Sequence, residues 1–373
     1  MTHKVSRRPH GIFRGALTFL GFVLLYILVY MEVALYRKYR PQKFKDVLGQ
    51  EHITDVVSSA IKLGNISHAY LFSGTRGTGK TSVARILASE IGTSSNDLYE
   101  MDAASNRGID DIRELREAVT TLPFDSDYKV YIIDEAHMLT KDAFNALLKT
   151  LEEPPSHVIF ILATTELHKI PDTIVSRCET YVFKKPGQEI LKRLVLNISK
   201  KEGFEIEPSG AELLAILGDG SFRDTIGNLQ KIIGSSSDKK ISLNEIQKIT
   251  GAPKVESINK VIASIADSAI GDALEVIREI VEKNVDIKIF LKLLLHKMRL
   301  LLLIRYAKDM HDDIKEELGE DDFVFINKLS QNPKINSKVL YKLLEAYKET
   351  ANSHIQQLPL ELSLIDIMGE TRD

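Results

Sequence analysis

Cysteine is almost absent from this sequence of 373 residues, in which Cys178 is the only one and tryptophan does not occur. A single thiol excludes a disulfide within the chain and a zinc site built from several cysteines. It is also typical of proteins in a reducing compartment, so we expect a cytoplasmic protein. A strong charge of one sign is missing too, because 49 basic residues face 52 acidic ones and leave a net charge of -3. Any contact with nucleic acid therefore has to come from a local surface or from an assembly of several chains.

An uncharged, largely apolar run covers residues 15–31 and follows Lys4, Arg7, Arg8 and Arg14. As a helix it would extend for roughly 25 Å, the short end of what crosses a bilayer. No small-x-small cleavage site follows it, so it could be a membrane anchor, an uncleaved signal or a segment that the native protein lacks. Because a domain-like sequence begins directly at Met31, we expect translation to start there, residues 1–30 to be absent and no membrane attachment. A peptide from before Met31, found by mass spectrometry of the native protein, would contradict this.

The remainder has the composition of a globular protein, with 44% hydrophobic and 27% charged residues. Between Ala69 and Phe183, short apolar runs alternate with helical patterns, which predicts a parallel α/β sheet with strands buried on both faces. The predicted strands are Ala69–Ser73, Asp97–Met101, Val130–Ile133 and Val158–Ala163, and the predicted helices are Lys80–Ile91, Ile109–Thr121 and Lys141–Leu151. After Lys184 the strand signals fade and the patterns are helical. We therefore predict three units: 31–184, 185–250 and 251–373.

A glycine-rich loop connects the first predicted strand to the next predicted helix. Its residues, with the one that follows, are Gly74, Thr75, Arg76, Gly77, Thr78, Gly79, Lys80, Thr81 and Ser82. The pattern G-x-x-x-x-G-K-T in this context predicts a P-loop, whose backbone N–H groups and helix N-terminus bind phosphates. Lys80 is expected to reach the β- and γ-phosphates of ATP, and the Thr81 hydroxyl is expected to ligate Mg²⁺.

A second motif ends the strand at Val130–Ile133 with Asp134 and Glu135. Behind a P-loop, this pair predicts a Mg²⁺ ligand in Asp134 and a general base for water in Glu135. The alternative, a helix-capping pair, is disfavoured by the P-loop that precedes it. His137 is interpreted as a helix-start or packing histidine rather than a catalytic one. The acidic residues from Asp97 to Glu117 are interpreted as sheet-edge and solvated-helix charges without a role.

Several longer blocks resemble the gamma/tau subunits of bacterial DNA polymerase III, the clamp-loader ATPases within the AAA+ superfamily. The resemblance runs from about Leu35 to the C-terminus, and the blocks that carry it are 39–52, 133–139, 144–155, Ala163-Thr164-Thr165 and Ser176-Arg177-Cys178. It implies an AAA+ ATPase core at 31–184, a small helical lid at 185–250 and an all-α collar for oligomerisation at 251–373.

The resemblance also implies roles that the spacing alone does not give. Thr165 would be the sensor-1 residue, and Arg223 would be the sensor-2 arginine, carried on the lid. Arg177 would be an arginine finger that reaches the ATP of a neighbouring subunit, although from its local sequence it would pass for a surface arginine. The adenine pocket would be lined by Arg40, Pro41 and Val47.

As a member of this family the chain would hydrolyse ATP with Mg²⁺ inside DNA polymerase III, without a polymerase active site of its own. Its expected partners are further copies, the delta and delta-prime subunits, the beta sliding clamp and primer–template DNA.

The sequence departs from the family in two places. The usual four-cysteine zinc module is replaced by Gly92–Asn96, so no zinc is expected, and the long C-terminal extension is missing, as in the shorter, motor-only form.

Three other functions are alternatives to clamp loading. A different AAA+ DNA motor, such as a branch-migration ATPase, is disfavoured by the Ser176-Arg177-Cys178 block and the helical third unit. A scaffold-only clamp-loader subunit would be expected to have a degenerate P-loop, whereas this loop is intact. A membrane-tethered binding module rests wholly on residues 15–31.

Overall fold

The computed structural model describes residues 34–106, 108–236, 238–318 and 320–369. The apolar run at 15–31 and the expected start at Met31 lie outside the described residues. Within these ranges, no helix combines the length and the apolar character that a membrane crossing requires.

The first unit is an α/β domain in which helices alternate with parallel strands. Its strands are β1 (Ala69–Ser73), β2 (Leu98–Asp102), β3 (Lys129–Asp134), β4 (Val158–Thr164) and β5 (Glu179–Val182). Its helices are α1 (Leu35–Lys38), α2 (Glu51–Lys62), α3 (Lys80–Glu90), α4 (Ile109–Val119), α5 (Lys141–Glu152) and α6 (Asp172–Val175). All four predicted strands and all three predicted helices are confirmed, with bounds that shift by two residues at most. Strand β5 was not predicted, because Glu-Thr-Tyr-Val has no continuous apolar run.

The five strands pair in parallel in the order β2-β3-β4-β1-β5. Successive side chains of a strand point to opposite faces of the sheet. On one face Tyr70, Phe72 and Ile132 pack among residues of α2 and α3, and on the other Leu71 and Ile133 pack among residues of α4 and α5. Because every strand runs in the same direction, the carboxyl ends of β1, β3 and β4 open on one edge of the sheet. The glycine-rich loop leaves from that edge.

The described residues after 184 are almost entirely helical. The 185–250 region contains α7 (Gln188–Lys201), α8 (Pro208–Leu217), α9 (Phe222–Ser235) and α10 (Leu243–Thr250), with a two-residue parallel pair β6 (Glu205–Ile206) and β7 (Lys240–Ile241) that the sequence did not predict. The 251–373 region contains α11 (Val255–Asp267), α12 (Ile270–Glu282), α13 (Ile287–Tyr306), α14 (His311–Leu318), α15 (Glu320–Leu329), α16 (Ser337–Thr350) and α17 (Leu358–Gly369). Gly251, in the left-handed conformation at φ 69°, ends α10 at the predicted boundary. One apolar cluster continues from the first of these regions into the second.

Asp97 corrects an interpretation made from the sequence, since it is fully buried rather than a solvated charge. Its carboxylate accepts hydrogen bonds from the backbone N–H groups of Phe124 (2.5 Å), Asp125 (2.8 Å) and Ser126 (2.9 Å). Burial by itself raises the pKa of Asp97, but these hydrogen bonds outweigh it and lower the pKa to about 2. Asp97 therefore holds the loop between α4 and β3 against the start of β2. This role has no local signal in the sequence, because the three donors lie 27, 28 and 29 positions further along the chain.

We expect Asp97→Ala to lower the free energy of unfolding by about 2–4 kcal/mol, because it leaves three backbone donors without their acceptor. The Asp97 pKa lies below its ordinary value of 3.8, so the carboxylate stabilises the fold above about pH 4 and loses this effect as the pH falls towards 2. Urea unfolding between pH 7 and pH 3 measures this: the difference in the free energy of unfolding between parent and variant should become smaller as the pH falls. Asp127→Ala, an exposed position in the same loop, is the matched control. Equal losses in the two variants would contradict the anchoring role.

Candidate nucleotide-binding and hydrolysis site

The glycines of the loop at residues 74–81 are required by its backbone. Gly74 has φ 148°, and a Cβ there would stand 2.6 Å from the carbonyl oxygen of Phe183. Gly79 has φ 106° and directly precedes α3. Thr78 is buried and its hydroxyl donates to the carbonyl of Thr75 at 2.9 Å, which closes the loop on itself. The loop thus stands between β1 and the N-terminus of α3, the arrangement that binds phosphate groups.

Lys80 is the cation of this loop and is only 6% exposed. Its Nζ donates to the carbonyl oxygens of Gly74 at 2.8 Å and Thr75 at 3.0 Å. Burial lowers the pKa of Lys80, while the carboxylates of Glu135 and Asp134 act in the opposite direction. The ammonium group is therefore held inside the loop, on the side that faces the two carboxylates.

The structure brings together Thr81 and Asp134, the two residues that the sequence analysis expects to hold Mg²⁺. The Thr81 hydroxyl donates to Asp134 Oδ2 at 2.7 Å, although 53 positions separate them in the chain. A hydroxyl and a carboxylate oxygen are hard donors of the kind that Mg²⁺ prefers, so this pair fits the ion. Among the described residues, no group of three or more histidine, cysteine, aspartate or glutamate side chains could hold a metal on its own. A magnesium ion here would complete its coordination with phosphate oxygens and water.

Glu135 follows β3 in the left-handed conformation, with φ 49° and ψ 42°. A non-glycine residue in this region carries strain of order 1 kcal/mol or more, and such strain is concentrated at functional sites. The Thr165 hydroxyl, just beyond the end of β4, donates to Glu135 Oε2 at 3.1 Å. The candidate base and the candidate sensor-1 residue are therefore in direct contact.

The lid contacts the P-loop directly. The backbone N–H of Phe222, at the start of α9, donates to the carbonyl of Gly77 at 2.9 Å. A Cβ on Gly77 would stand only 2.0 Å from Ser221 Oγ. Gly77 occupies a position that the P-loop pattern leaves open, and its φ of 77° together with this contact explains why a glycine is found there. Arg223 follows Phe222, and its guanidinium lies 5.0 Å from the centre of the Tyr36 ring on α1.

The residues expected around adenine are only partly brought to the loop. Arg40 is half-buried, and its Nε donates to Ser82 Oγ at 2.9 Å, at the start of the P-loop helix. Burial lowers the pKa of Arg40, and the nearby guanidinium of Arg85 lowers it further. Val47 is buried in the apolar cluster that contains Val83 of α3. The adenine-contacting role of Arg40, Pro41 and Val47 stays a prediction.

Arg177 has a different set of neighbours. Its Nη2 lies 2.5 Å from Glu152 Oε1 at the end of α5, and its Nη1 donates to the carbonyl of Thr173 at 2.7 Å. The side chain is 32% exposed. None of its described polar contacts involves the P-loop or the carboxylates that follow β3. This placement is compatible with a role on another subunit, and that role stays a prediction.

His137 is the residue of this site that the sequence underrated. It stands in the 3-10 turn at Ala136–Met138 with its side chain 7% exposed, and it contacts both Glu135 and Glu166. It is buried at a helix start, as its sequence context suggested, yet it lies within the site. Its position two residues beyond Glu135 was the available signal, but Glu166 comes from the loop after β4 and could not be paired with it from the sequence.

Fold and site together define a P-loop nucleotide-binding protein with the AAA+ architecture. A solved structure of RuvB from Thermotoga maritima is similar to it in fold, with a TM-score of 0.50 and 22% identity, over 61% of this chain and 79% of that one. At this identity the likeness concerns the fold alone.

The sequence comparisons define the family. The family model described as DNA polymerase III, delta subunit, matches residues 92–187, and the model described as DNA polymerase III subunits gamma and tau domain III matches residues 241–371. The chain is 39% identical to DNA polymerase III subunit tau of Bacillus subtilis over 333 residues, 84% of this chain and 58% of that protein. It is 38% identical to the gamma/tau subunit of Mycobacterium bovis over 300 residues, 74% of this chain and 52% of that protein. The chain belongs to the DNA polymerase III gamma/tau family and spans little more than half the length of these relatives.

Proposed function

We propose that this chain is the ATP-hydrolysing subunit of a DNA polymerase III clamp loader, which places the beta sliding clamp on primed DNA during replication in the cytoplasm. The observation that carries the proposal is the convergence of Lys80, Thr81, Asp134, Glu135 and Thr165 on one edge of the sheet. Side chains suited to binding phosphate, to holding Mg²⁺ and to activating water lie there within one chain. Membership of the gamma/tau family supports the choice of DNA polymerase III among AAA+ motors.

The reaction is the hydrolysis of ATP to ADP and phosphate. The P-loop amides and Lys80 bind the phosphates, and Thr81 with Asp134 would hold a Mg²⁺ ion, which neutralises phosphate charge when bound. Glu135 accepts a hydrogen bond from the attacking water and orients it, with Thr165 fixing the carboxylate. Phe222, the residue before Arg223, already donates a hydrogen bond to Gly77 of the P-loop. Closure of the lid would therefore bring Arg223 to the phosphates.

The neighbouring subunit completes the site in this proposal. Several copies, with delta and delta-prime subunits, form a ring held by the collar at 251–373, and Arg177 of one copy reaches the ATP of the next. A guanidinium aimed at the charge that develops on the phosphoryl group can accelerate its transfer by about 10³–10⁵. ATP binding then favours a ring conformation that opens the clamp, and primer–template DNA in the ring triggers hydrolysis and clamp release.

The test is the ATPase rate of the assembled ring, measured without additions, with clamp, with primed DNA and with both. We expect the ATPase rate to rise most when clamp and primed DNA are both present, because the loading cycle can be completed only with the two together. Glu135→Gln is the control for contaminating ATPases and should be inactive in every mixture. Equal stimulation by primed DNA with and without clamp, or by junction DNA alone, would contradict clamp loading and favour another DNA motor.

A further inference from the structure

The histidine after the two carboxylates, His137, has three polar neighbours, two beside Nδ1 and one beside Nε2. Its Nδ1 hydrogen-bonds with the hydroxyl of Thr164 at 3.1 Å and lies 3.4 Å from Glu135 Oε2. Its Nε2 lies 3.2 Å from Glu166 Oε2. The ring thus stands between the candidate base and a second carboxylate that belongs to the loop after β4.

The proton on this ring follows from its neighbours. A carboxylate oxygen only accepts hydrogen bonds, so the contact with Glu166 is attractive when Nε2 carries a proton. In the same way, Nδ1 supports the Glu135 carboxylate when it carries a proton, which it shares with the hydroxyl oxygen of Thr164. That hydroxyl oxygen also accepts from the backbone N–H of Glu166 at 3.0 Å. Lys169 donates to Glu166 at 2.8 Å, and this hydrogen bond lowers the pKa of Glu166. Glu166 is therefore a charged anchor for the outer nitrogen of the ring.

Glu135 needs such support because of its backbone. Its left-handed conformation at φ 49° persists only if surrounding contacts favour it. Thr165 supplies one contact to Oε2, and the His137 ring lies against the same oxygen. A carboxylate that activates water acts only if it is held close to the productive position, and a misplacement of about 1 Å can cost roughly 100-fold in rate.

We propose that His137, held by Glu166, is a positioning residue that fixes the Glu135 carboxylate for ATP hydrolysis. This rests on the proposed function, because it assumes that Glu135 activates water. The role concerns turnover and leaves nucleotide binding to the P-loop. The contact between His137 and Glu166 also connects the end of β3, which Glu135 follows, to the segment 165–169. That segment leads into α6, the helix before Arg177.

The experiment compares His137→Ala, His137→Asn and Glu166→Ala in the assembled ring with clamp, primed DNA and ATP. His137→Ala should lower kcat roughly tenfold to a hundredfold, with the dissociation constant for ATP unchanged within a factor of about two. His137→Asn should recover part of the loss, because its amide reaches the place of Nδ1. Glu166→Ala should lower kcat less than His137→Ala.

His168→Ala is the matched control, since His168 is 75% exposed and its Nε2 is 4.0 Å from the other oxygen of Glu166. It should keep the parent kcat. An unchanged kcat in His137→Ala, or an equal loss of ATP binding and kcat, would overturn the positioning role. If His137→Ala does not fold, Glu166→Ala tests the proposal instead. A parent-like kcat in Glu166→Ala would contradict the role of Glu166 in holding His137. A parent ring without ATPase activity would refute the proposed function instead, so the two failures are distinct.

Discussion

Lys80→Ala is expected to remove ATP binding at concentrations that saturate the parent protein. Lys80 is the only buried cation of the loop at residues 74–81, and its ammonium faces the two carboxylates after β3. Removing one partner of a buried, hydrogen-bonded charge pair costs about 2–5 kcal/mol, which corresponds to roughly 30-fold to several thousand-fold in affinity. We expect a loss of ATP affinity in the upper half of that range, because Lys80 is held where the negative charge of the triphosphate is concentrated.

The measurement is titration with ATP by calorimetry, with and without Mg²⁺, on parent and variant. Lys129→Ala is a matched control, because Lys129 is 4% exposed and donates to the hydroxyl of Thr121 at 2.6 Å. It begins β3, whereas Asp134 ends it, so the two are roughly 17 Å apart. Lys129→Ala should lose stability and keep its ATP affinity. Tight ATP binding by Lys80→Ala would refute the P-loop assignment.

Arg177→Ala is expected to leave ATP binding intact and to lower the turnover of the assembled ring by about 10³-fold or more. Arg177 contacts Glu152 and Thr173 rather than the P-loop of its own chain. Loss of the Glu152 pair should cost the subunit at most about 1 kcal/mol, since the pair is solvent-accessible. The measurement is kcat with clamp and primed DNA, beside the ATP affinity of each variant.

Glu152→Ala separates the two possible roles of this arginine. It removes the intramolecular partner of Arg177 and keeps the guanidinium, so a ring of this variant should turn over close to the parent rate. If Glu152→Ala is as damaging as Arg177→Ala, the ion pair within the subunit is what matters. Normal turnover of the Arg177→Ala ring would show that the arginine is no finger at all.

Much of the fold could be predicted because its signals are local. The buried strand Ala69–Ser73, the glycines after it and the helix from Lys80 follow each other directly, and the structure confirms all three. The pair Asp134 and Glu135 was likewise marked by the buried strand before it. Strand β5 escaped prediction, because its side chains are mostly exposed and its place depends on pairing with β1.

The errors and omissions concern contacts between distant segments. The sequence context of Asp97 predicts a sheet-edge or solvated charge, because no nearby residue shows that a loop near residue 125 donates hydrogen bonds to it. The sequence context of His137 predicts a packing role, because its partner Glu166 belongs to the loop after a different strand, β4. Gly77 is part of the predicted P-loop, but its contact with the start of the lid helix α9 depends on a segment about 145 positions away and is visible only in the structure.

The sequence by itself determined that the chain has a P-loop between a buried strand and a helix, a carboxylate pair after a second strand and a helical C-terminal part. These follow from hydrophobic periodicity and from backbone rules that act within a few residues. Only the tertiary structure decided that Thr81 meets Asp134, that Thr165 and His137 both reach Glu135, and that Phe222 bonds to Gly77. Those contacts depend on strand order, and strand order is set by how the helices cover both faces of the whole sheet.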